Sequence, residues 1–237
     1  MVPVCYNKGG GVMSVDADIV NSFPDSFDHN ILNNSFMYED KADASEILNN
    51  LRKSNLNNVI LGHLNINSIA NKVDSLSFIV QETIDILVIG ESKLNKSHTT
   101  AQLQLPGFNE PFRLDRVNEN GGGGVLIYIR SDIPSRKLSK HNFTNDIEGL
   151  FIEFNFRKSK WLLFGAYRPP KQNKLHFTEH VSKALDIYIQ SFDRIILIGD
   201  FNLDINDVTL SSLMSAFNLK SLIKEPTCFK SIESILH

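Results

Sequence analysis

The chain has 237 residues, with 24 Lys and Arg against 27 Asp and Glu, a formal net charge of −3. It therefore lacks a global basic field, and any electrostatic footprint for a polyanion has to be local. Two cysteines, Cys5 and Cys228, exclude a disulfide framework or a Cys-based zinc site and fit a reducing compartment. Met1–Met13 lacks the apolar centre of a secretory signal, and no run reaches membrane-span length. The expectation is a soluble, intracellular chain, nuclear or cytoplasmic, with no membrane partner.

Residues 1–44 contain Gly9-Gly10-Gly11 and the Asp/Asn/Ser-rich stretch Asp16–Asn34 and show no sustained periodicity. They read as a flexible leader ahead of one domain over 45–237. That domain opens with a helix at Ala44–Lys53, where Ile47, Leu48 and Leu51 fall at helical spacing. The strand Val59–Leu64 runs into Asn65 and Asn67, with His63 expected on the face away from Asn65. A helix around Lys72–Thr83 carries Val73, Leu76, Ile79 and Val80 on one side. The strand Ile86–Ile89 delivers Glu91.

A long connection passes Pro106-Gly107-Phe108 to Arg113, and Gly121–Gly124 leads into the strand Val125–Ile129. Four glycines could cradle a phosphate with backbone N–H groups. No Lys-Ser/Thr follows them, and a mobile loop is the preferred reading. Leu150–Phe156 and Trp161–Ala166 form a hairpin around Arg157-Lys158-Ser159-Lys160, followed by Tyr167 and Arg168. Phe177–Phe192 is a helix with Val181, Leu185, Ile189 and Phe192 inside. The aliphatic strand Ile195–Ile198 reads as covered on both faces. Gly199 turns the chain there and presents Asp200 and Asn202, two apart and on one face if extended. A short helix, Ser211–Phe217, precedes Leu222-Ile223. Candidate basic groups are Arg130, Arg136, Lys137 and Lys140, then Arg157, Lys158 and Lys160, then Arg168, Lys171 and Lys174. Most read as ordinary solvated charges.

Four apolar strands thus end in Asn65, Glu91, Tyr167-Arg168 and Asp200-x-Asn202. Side by side, they would bring these groups to one rim, where α/β proteins commonly bind ligands. A carboxylate can hold a nucleophile or a hard metal, and a neutral amide can donate to a phosphate oxygen. The set suits phosphate-ester chemistry. Oxygen donors without paired Cys or His favour Mg²⁺ or Mn²⁺ over Zn²⁺. Each motif alone reads as a polar turn after a strand; the fourfold recurrence points to a site.

The ordered series His63-Leu64-Asn65-Ile66-Asn67-Ser68, Ile89-Gly90-Glu91-Ser92-Lys93-Leu94, Gly121-Gly122-Gly123-Gly124-Val125, Ala166-Tyr167-Arg168-Pro169-Pro170, Gly199-Asp200-Phe201-Asn202 and Glu225-Pro226-Thr227-Cys228-Phe229 resembles the endonuclease/exonuclease/phosphatase superfamily. That group includes abasic-site endonucleases and pancreatic-type DNases. More closely, the series resembles the endonuclease domain of non-LTR (LINE-type) retrotransposon polyproteins, over about residues 45–230. The resemblance implies an α/β, four-layer sandwich of two packed mixed β-sheets flanked by helices. It implies a Mg²⁺- or Mn²⁺-dependent phosphodiesterase that nicks duplex DNA and is normally fused to a reverse transcriptase, which is absent from this chain.

By that resemblance, Glu91 and Asn65 hold the metal, and Asp200 orients and deprotonates water. Asn202 donates to a non-bridging phosphate oxygen, and Tyr167 donates its phenol proton or orients the nucleophile. Thr227 contacts substrate, and Arg168 touches the DNA backbone or faces solvent. The family pattern continues past Thr227 with a Ser-x-Ile-Asp-type motif and a Ser-Asp-His motif. Here Ser231–Leu236 echoes the first only faintly, with Glu233, and His237 lacks the preceding Asp. The expectation is therefore a domain whose last strands are missing and whose nuclease activity is impaired or lost. Two alternatives stand beside it: a non-catalytic retroelement remnant with weak DNA or protein binding and, less favoured, a phospholipid phosphatase. His141, His176 and His180 are not assigned to the site.

Overall fold

The computed structural model describes residues 4–6, 13–14, 45–46, 48–116 and 122–222. A helix, α1, covers 48–54. The strands are β1 (Val4–Tyr6), β2 (Met13–Ser14), β3 (Ile60–Asn65), β4 (Ile86–Gly90), β5 (Phe112–Leu114), β6 (Val125–Ile129), β7 (Ser135–Leu138), β8 (Glu148–Phe156), β9 (Ser159–Tyr167), β10 (Arg194–Asp200) and β11 (Lys220–Ser221). The remaining helices are α2 (Val73–Val80), α3 (Lys174–Tyr188) and α4 (Val208–Ala216).

Two mixed sheets result. One has the order β11-β1-β10-β9-β8-β7, the other β2-β3-β4-β6-β5. In the first, β9 and β10 are parallel and the other pairs antiparallel. In the second, β2-β3-β4 are parallel and β6 runs against both β4 and β5. Two pieces of the expected flexible leader therefore carry backbone pairing: β1 between β10 and β11, and β2 beside β3. The rest of residues 1–44 lies outside the described residues.

Alternation along the strands divides the interior into three. Leu61, Val88, Ile127, Ile152, Leu163 and Ile198 lie between the sheets. The far face of the six-stranded sheet packs Phe151, Phe164 and Leu197 on Phe177, Val181 and Leu185 of α3 and Leu210 and Leu213 of α4. The far face of the five-stranded sheet packs Ile60, Leu87 and Ile89 on Leu48, Leu76 and Ile79. Helix, sheet, sheet and helix make the four-layer α/β sandwich, with mixed sheets because hairpins and helical crossovers alternate. Among the described residues no helix is long and apolar enough to cross a membrane.

Local chemistry explains where the elements begin and end. The β8–β9 hairpin turns on two residues, Arg157 (φ 49°) and Lys158 (φ 64°), and Phe156 already pairs with Ser159. Two consecutive left-handed residues match the right-handed twist of flanking strands, so the turn is shorter than the four residues expected. Helix α3 starts earlier than its apolar stripe suggests, because the Asn173 side chain accepts from the His176 N–H at 3.0 Å and caps it. Likewise, Asp207 accepts from Thr209 N–H at 2.9 Å, starting α4 before Ser211.

Candidate active site

The C-terminal ends of β3, β4, β9 and β10 meet at one rim between the sheets. Asn65, the last residue of β3, pairs with Gly90 of β4, and Asp200 of β10 pairs with Tyr167 of β9. One amide joins the two sheets: Asn65 Nδ2 donates to Glu91 Oε1 at 3.0 Å and to Asp200 Oδ2 at 3.0 Å. Its two hydrogens thus hold two carboxylates that would otherwise repel. Lys93 Nζ is 3.9 Å from Glu91 Oε2.

Tyr167 is 5% exposed. Burial above all, then a hydrogen bond to Glu91 and the charges of Glu91 and Asp200, raise its phenol far above the ordinary value; Arg116 opposes them. The hydroxyl therefore keeps its proton throughout the neutral range and can act as a donor.

The loops after the strands are held together by backbone. Ile66 N–H donates to Gly90 O (3.1 Å), Ser68 N–H to Glu91 O (2.8 Å) and Ile69 N–H to Ser92 O (3.1 Å). Among the described residues, five of the nine non-glycine positions with positive φ lie in the site loops: Asn67, Ser68, Glu91, Lys93 and Asn202. Such backbone costs energy and persists where surrounding contacts impose it. Gly199 does not make the sharp turn expected. It lies inside β10, and a Cβ there would sit 1.8 Å from the Ala166 carbonyl oxygen. Glycine is required because β9 and β10 approach so closely beside Asp200.

Arg168 and Asn202 depart from expectation. Arg168 is 1% exposed. Its guanidinium donates to the carbonyls of Phe201, Asn202, Gln172 and, at 3.2 Å, Pro169. Its N–H groups are turned inward to the loop bearing Asp200, so it faces neither solvent nor a DNA backbone; it shapes the loop. Asn202, at φ 46°, is not extended, so it does not share the Asp200 face in the simple alternating sense. Its backbone N–H donates to Asp200 Oδ1 at 3.1 Å and its Nδ2 to Arg168 O at 2.8 Å, while the residue stays exposed. Thr227 lies outside the described residues.

His63 is also corrected. It is two residues from Asn65 and therefore on the same face. It is 5% exposed, with neither ring nitrogen hydrogen-bonded among the described residues. A Cβ on Gly90 would meet His63 Nε2 at 3.5 Å and Tyr167 Cδ2 at 3.6 Å, which puts the imidazole directly beneath the rim. Burial drives its pKa down to about 3, so it is neutral.

A model of the Endonuclease/Exonuclease/phosphatase family matches residues 30–230. The chain belongs to the endonuclease/exonuclease/phosphatase family. Its fold is similar to the endonuclease domain of TRAS1, a telomere-specific non-LTR retrotransposon, at 15% identity over 69% of this chain and 72% of that one, TM-score 0.52. It is also similar to the human Nocturnin catalytic domain (14% identity, 65% of this chain and 67% of that one, TM-score 0.47). AP endonuclease LMAP from Leishmania major aligns at 13% identity over 67% of this chain and 66% of that one, TM-score 0.47. No curated protein matches the chain.

Within this family member, two residues beside Tyr167 escaped the sequence reading. Glu148, the first residue of β8 and 3% exposed, pairs across the sheet with Tyr167. Its Oε1 accepts from Arg116 Nε at 2.5 Å and its Oε2 from Gly124 N–H at 2.6 Å. In the Gly122–Gly124 run the Gly124 N–H is already spent on Glu148 Oε2, while Gly123 O accepts from Lys93 N–H (2.8 Å) and Gly124 O from Ser92 N–H (3.3 Å). These bonds tie the Glu91 loop to the start of β6 and, through Glu148, to β8. Among the candidate basic groups, Arg130 is paired with Asp85 and Asp132, Arg136 and Lys160 with Glu153, and Lys174 with Asp207.

The rim fits a hard divalent cation. Mg²⁺ is commonly bound through one or two carboxylates, with water and substrate phosphate completing its shell. Glu91 and Asp200 supply two converging carboxylates, and Asn65 supplies an amide that can rotate its oxygen toward a cation. Among the described residues no three His, Cys, Asp or Glu side chains cluster to hold a metal ion by themselves.

Proposed function

We propose that this chain is a divalent-metal-dependent phosphodiesterase that nicks duplex DNA. One observation carries the reading: the Asn65 amide bridges Glu91 and Asp200 across the two sheets, beside the buried Tyr167 phenol. Glu91 and Asn65 would hold Mg²⁺, or Mn²⁺ in its place. When bound, the ion would neutralise charge on the phosphate and on the departing oxygen.

The chain's own residues supply the rest. Asp200 accepts the proton of the attacking water, oriented by a loop that Arg168 fixes from beneath. Asn202, with one amide hydrogen on Arg168 O, has a second for a non-bridging phosphate oxygen, where charge grows in the transition state. Tyr167 presents a retained proton to the same phosphate. Thr227 would contact the substrate, a role suggested by the resemblance of Glu225-Pro226-Thr227-Cys228-Phe229 to the family motif. The fold similarity to TRAS1, a retrotransposon endonuclease domain, makes DNA the favoured substrate.

The test is nicking of supercoiled plasmid in Mg²⁺ against EDTA, by the chain and by Glu91→Ala and Asp200→Ala. Metal-dependent nicking lost in both variants supports the reading. A folded chain that binds DNA without nicking it overturns catalysis in favour of a non-catalytic binding module. Phosphate release from a phospholipid headgroup, without nicking, would assign the site to lipid substrates.

A further inference from the structure

Helix α3 opens on Lys174-Leu175-His176-Phe177-Thr178-Glu179-His180. Residues four apart on a helix share a face, and H-x-x-E-H is a spacing at which helical histidines hold zinc. The two rings meet here, with centroids 4.1 Å apart at an interplanar angle of 51°. Two nitrogens on one tetrahedral Zn²⁺ are about 3.4 Å apart, within reach of rings at that separation.

Each imidazole also has a partner that selects its free nitrogen. His180 Nδ1 lies 2.8 Å from His176 O. A carbonyl oxygen only accepts, so Nδ1 carries the hydrogen and Nε2 of the neutral ring keeps its lone pair. His176 Nε2 lies 3.1 Å from Asp146 Oδ2. The carboxylate accepts there, which leaves the lone pair of neutral His176 at Nδ1. An imidazole that ligates a metal almost always donates its other ring N–H to a carboxylate, a backbone carbonyl or water. Here one ring has the carboxylate and the other the carbonyl. Asp146 is itself held, because Gln172 Nε2 donates to its carbonyl at 2.6 Å and to its Oδ2 at 3.3 Å.

The surroundings admit a cation. The His176 side chain is 37% exposed and His180 is half-buried, so solvent reaches both. Asp146 and Glu179 line an open groove with His176. Their charges offset the positive N-terminal end of α3, which by itself disfavours a cation. Imidazole nitrogens suit Zn²⁺, Cu²⁺ or Ni²⁺ rather than Mg²⁺, so this pair and the oxygen-rich rim select different metals.

We propose that His176 Nδ1 and His180 Nε2 form a second metal site, for Zn²⁺, with Asp146 as the outer partner of His176 and water completing the shell. Two protein ligands agree with the absence of a three-ligand cluster among the described residues. Without a third protein ligand, Glu179 takes no hydrolytic role. The bound ion staples the first two turns of α3. Through Asp146 and Gln172 it joins them to the loops before β8 and after β9.

The experiment titrates Zn²⁺ into the full chain by calorimetry with Mg²⁺ present throughout. It repeats the titration in Glu91→Ala, His176→Gln, His180→Gln and Asp146→Ala. Long-range proton–nitrogen NMR spectra of the histidine rings follow the same titration in the unmodified chain. Zn²⁺ should produce coordination shifts at His176 Nδ1 and His180 Nε2, and this binding should persist in Glu91→Ala, whose rim lacks a carboxylate. Asp146→Ala should weaken it about tenfold, as for an outer partner of a ligating imidazole, and either histidine variant by more than that. Because the spectra need no variant, a misfolded variant does not spare the proposal. Shifts confined to other histidines, binding lost only in Glu91→Ala, or saturation only at millimolar Zn²⁺ (an adventitious ion only) each overturn the site. None of these readouts involves DNA, so the reading of the rim stands or falls separately.

Discussion

The two ends of the β3–β4 pair carry opposite kinds of polar cluster. At the start, Asp85 is 2% exposed and is fully compensated. It pairs with Arg52 at 2.6 Å and Arg130 at 2.9 Å and accepts from Ile60 N–H at 2.7 Å, so α1, β3 and β6 are tied to one carboxylate. At the other end, Glu91 and Asp200 converge on one neutral amide, with Lys93 no closer than 3.9 Å to Glu91. One end matches its single carboxylate with two guanidinium groups; the other holds two carboxylates mostly through neutral donors, with one lysine at 3.9 Å. Two carboxylates converging at a strand-end rim, rather than buried charge as such, mark the candidate functional end.

Removing a carboxylate should therefore have opposite consequences at the two ends. Asp200→Ala is expected to lower nicking by about 10²–10⁴-fold, the usual contribution of a general base, while stability in EDTA stays the same or rises. Plasmid nicking paired with urea unfolding checks this, and a loss of stability in EDTA would show that the rim is a structural ion cluster. Asp85→Ala is expected to cost about 3–5 kcal/mol, as for breaking a buried ion pair. A cost below about 1 kcal/mol would dissolve the contrast between the ends.

His63 provides a pH test. Its pKa is about 3 in the folded chain against 6.5 ordinarily. The unfolded chain thus takes up a proton that the folded chain refuses. The resulting stability is complete above about pH 6.5 and is lost as pH falls toward 3, at about 1.4 kcal/mol per pH unit. His63→Gln should flatten the dependence of urea-unfolding stability between pH 7 and 5 relative to the parent. Equal slopes would mean that the imidazole is not buried neutral. The smallest effect belongs to Asp207→Ala, which removes a half-buried helix cap far from the contrast and should cost about 1 kcal/mol by thermal unfolding.

The strands that carry the rim were legible because their aliphatic runs are long and each is followed by a polar residue. Asn65, Glu91, Tyr167 and Asp200 therefore came together as expected. The misreadings arise where local spacing does not decide orientation. His63 shares the Asn65 face by the parity of an extended strand. Asn202 leaves that parity because its backbone is left-handed. Arg168 looked like a surface cation because nothing near it in sequence shows four carbonyls waiting inside. Arg116 and Glu148 are 32 residues apart, and only the packed sheets reveal their contact.

The position of Arg168 also bears on the order in which the molecule assembles. Its guanidinium and its backbone N–H reach Phe201, Asn202 and Asp200 across a separation of more than 30 residues, with the whole of α3 between. The β8–β9 hairpin can form from local contacts alone, but the loop beyond β10 gets its shape only once α3 has docked and β10 has zipped onto β9. In a refolding time course, protection of the Arg168 amide, which donates to Asp200 O, should therefore lag protection of the hairpin, making that amide a reporter of the last long-range pairing to close.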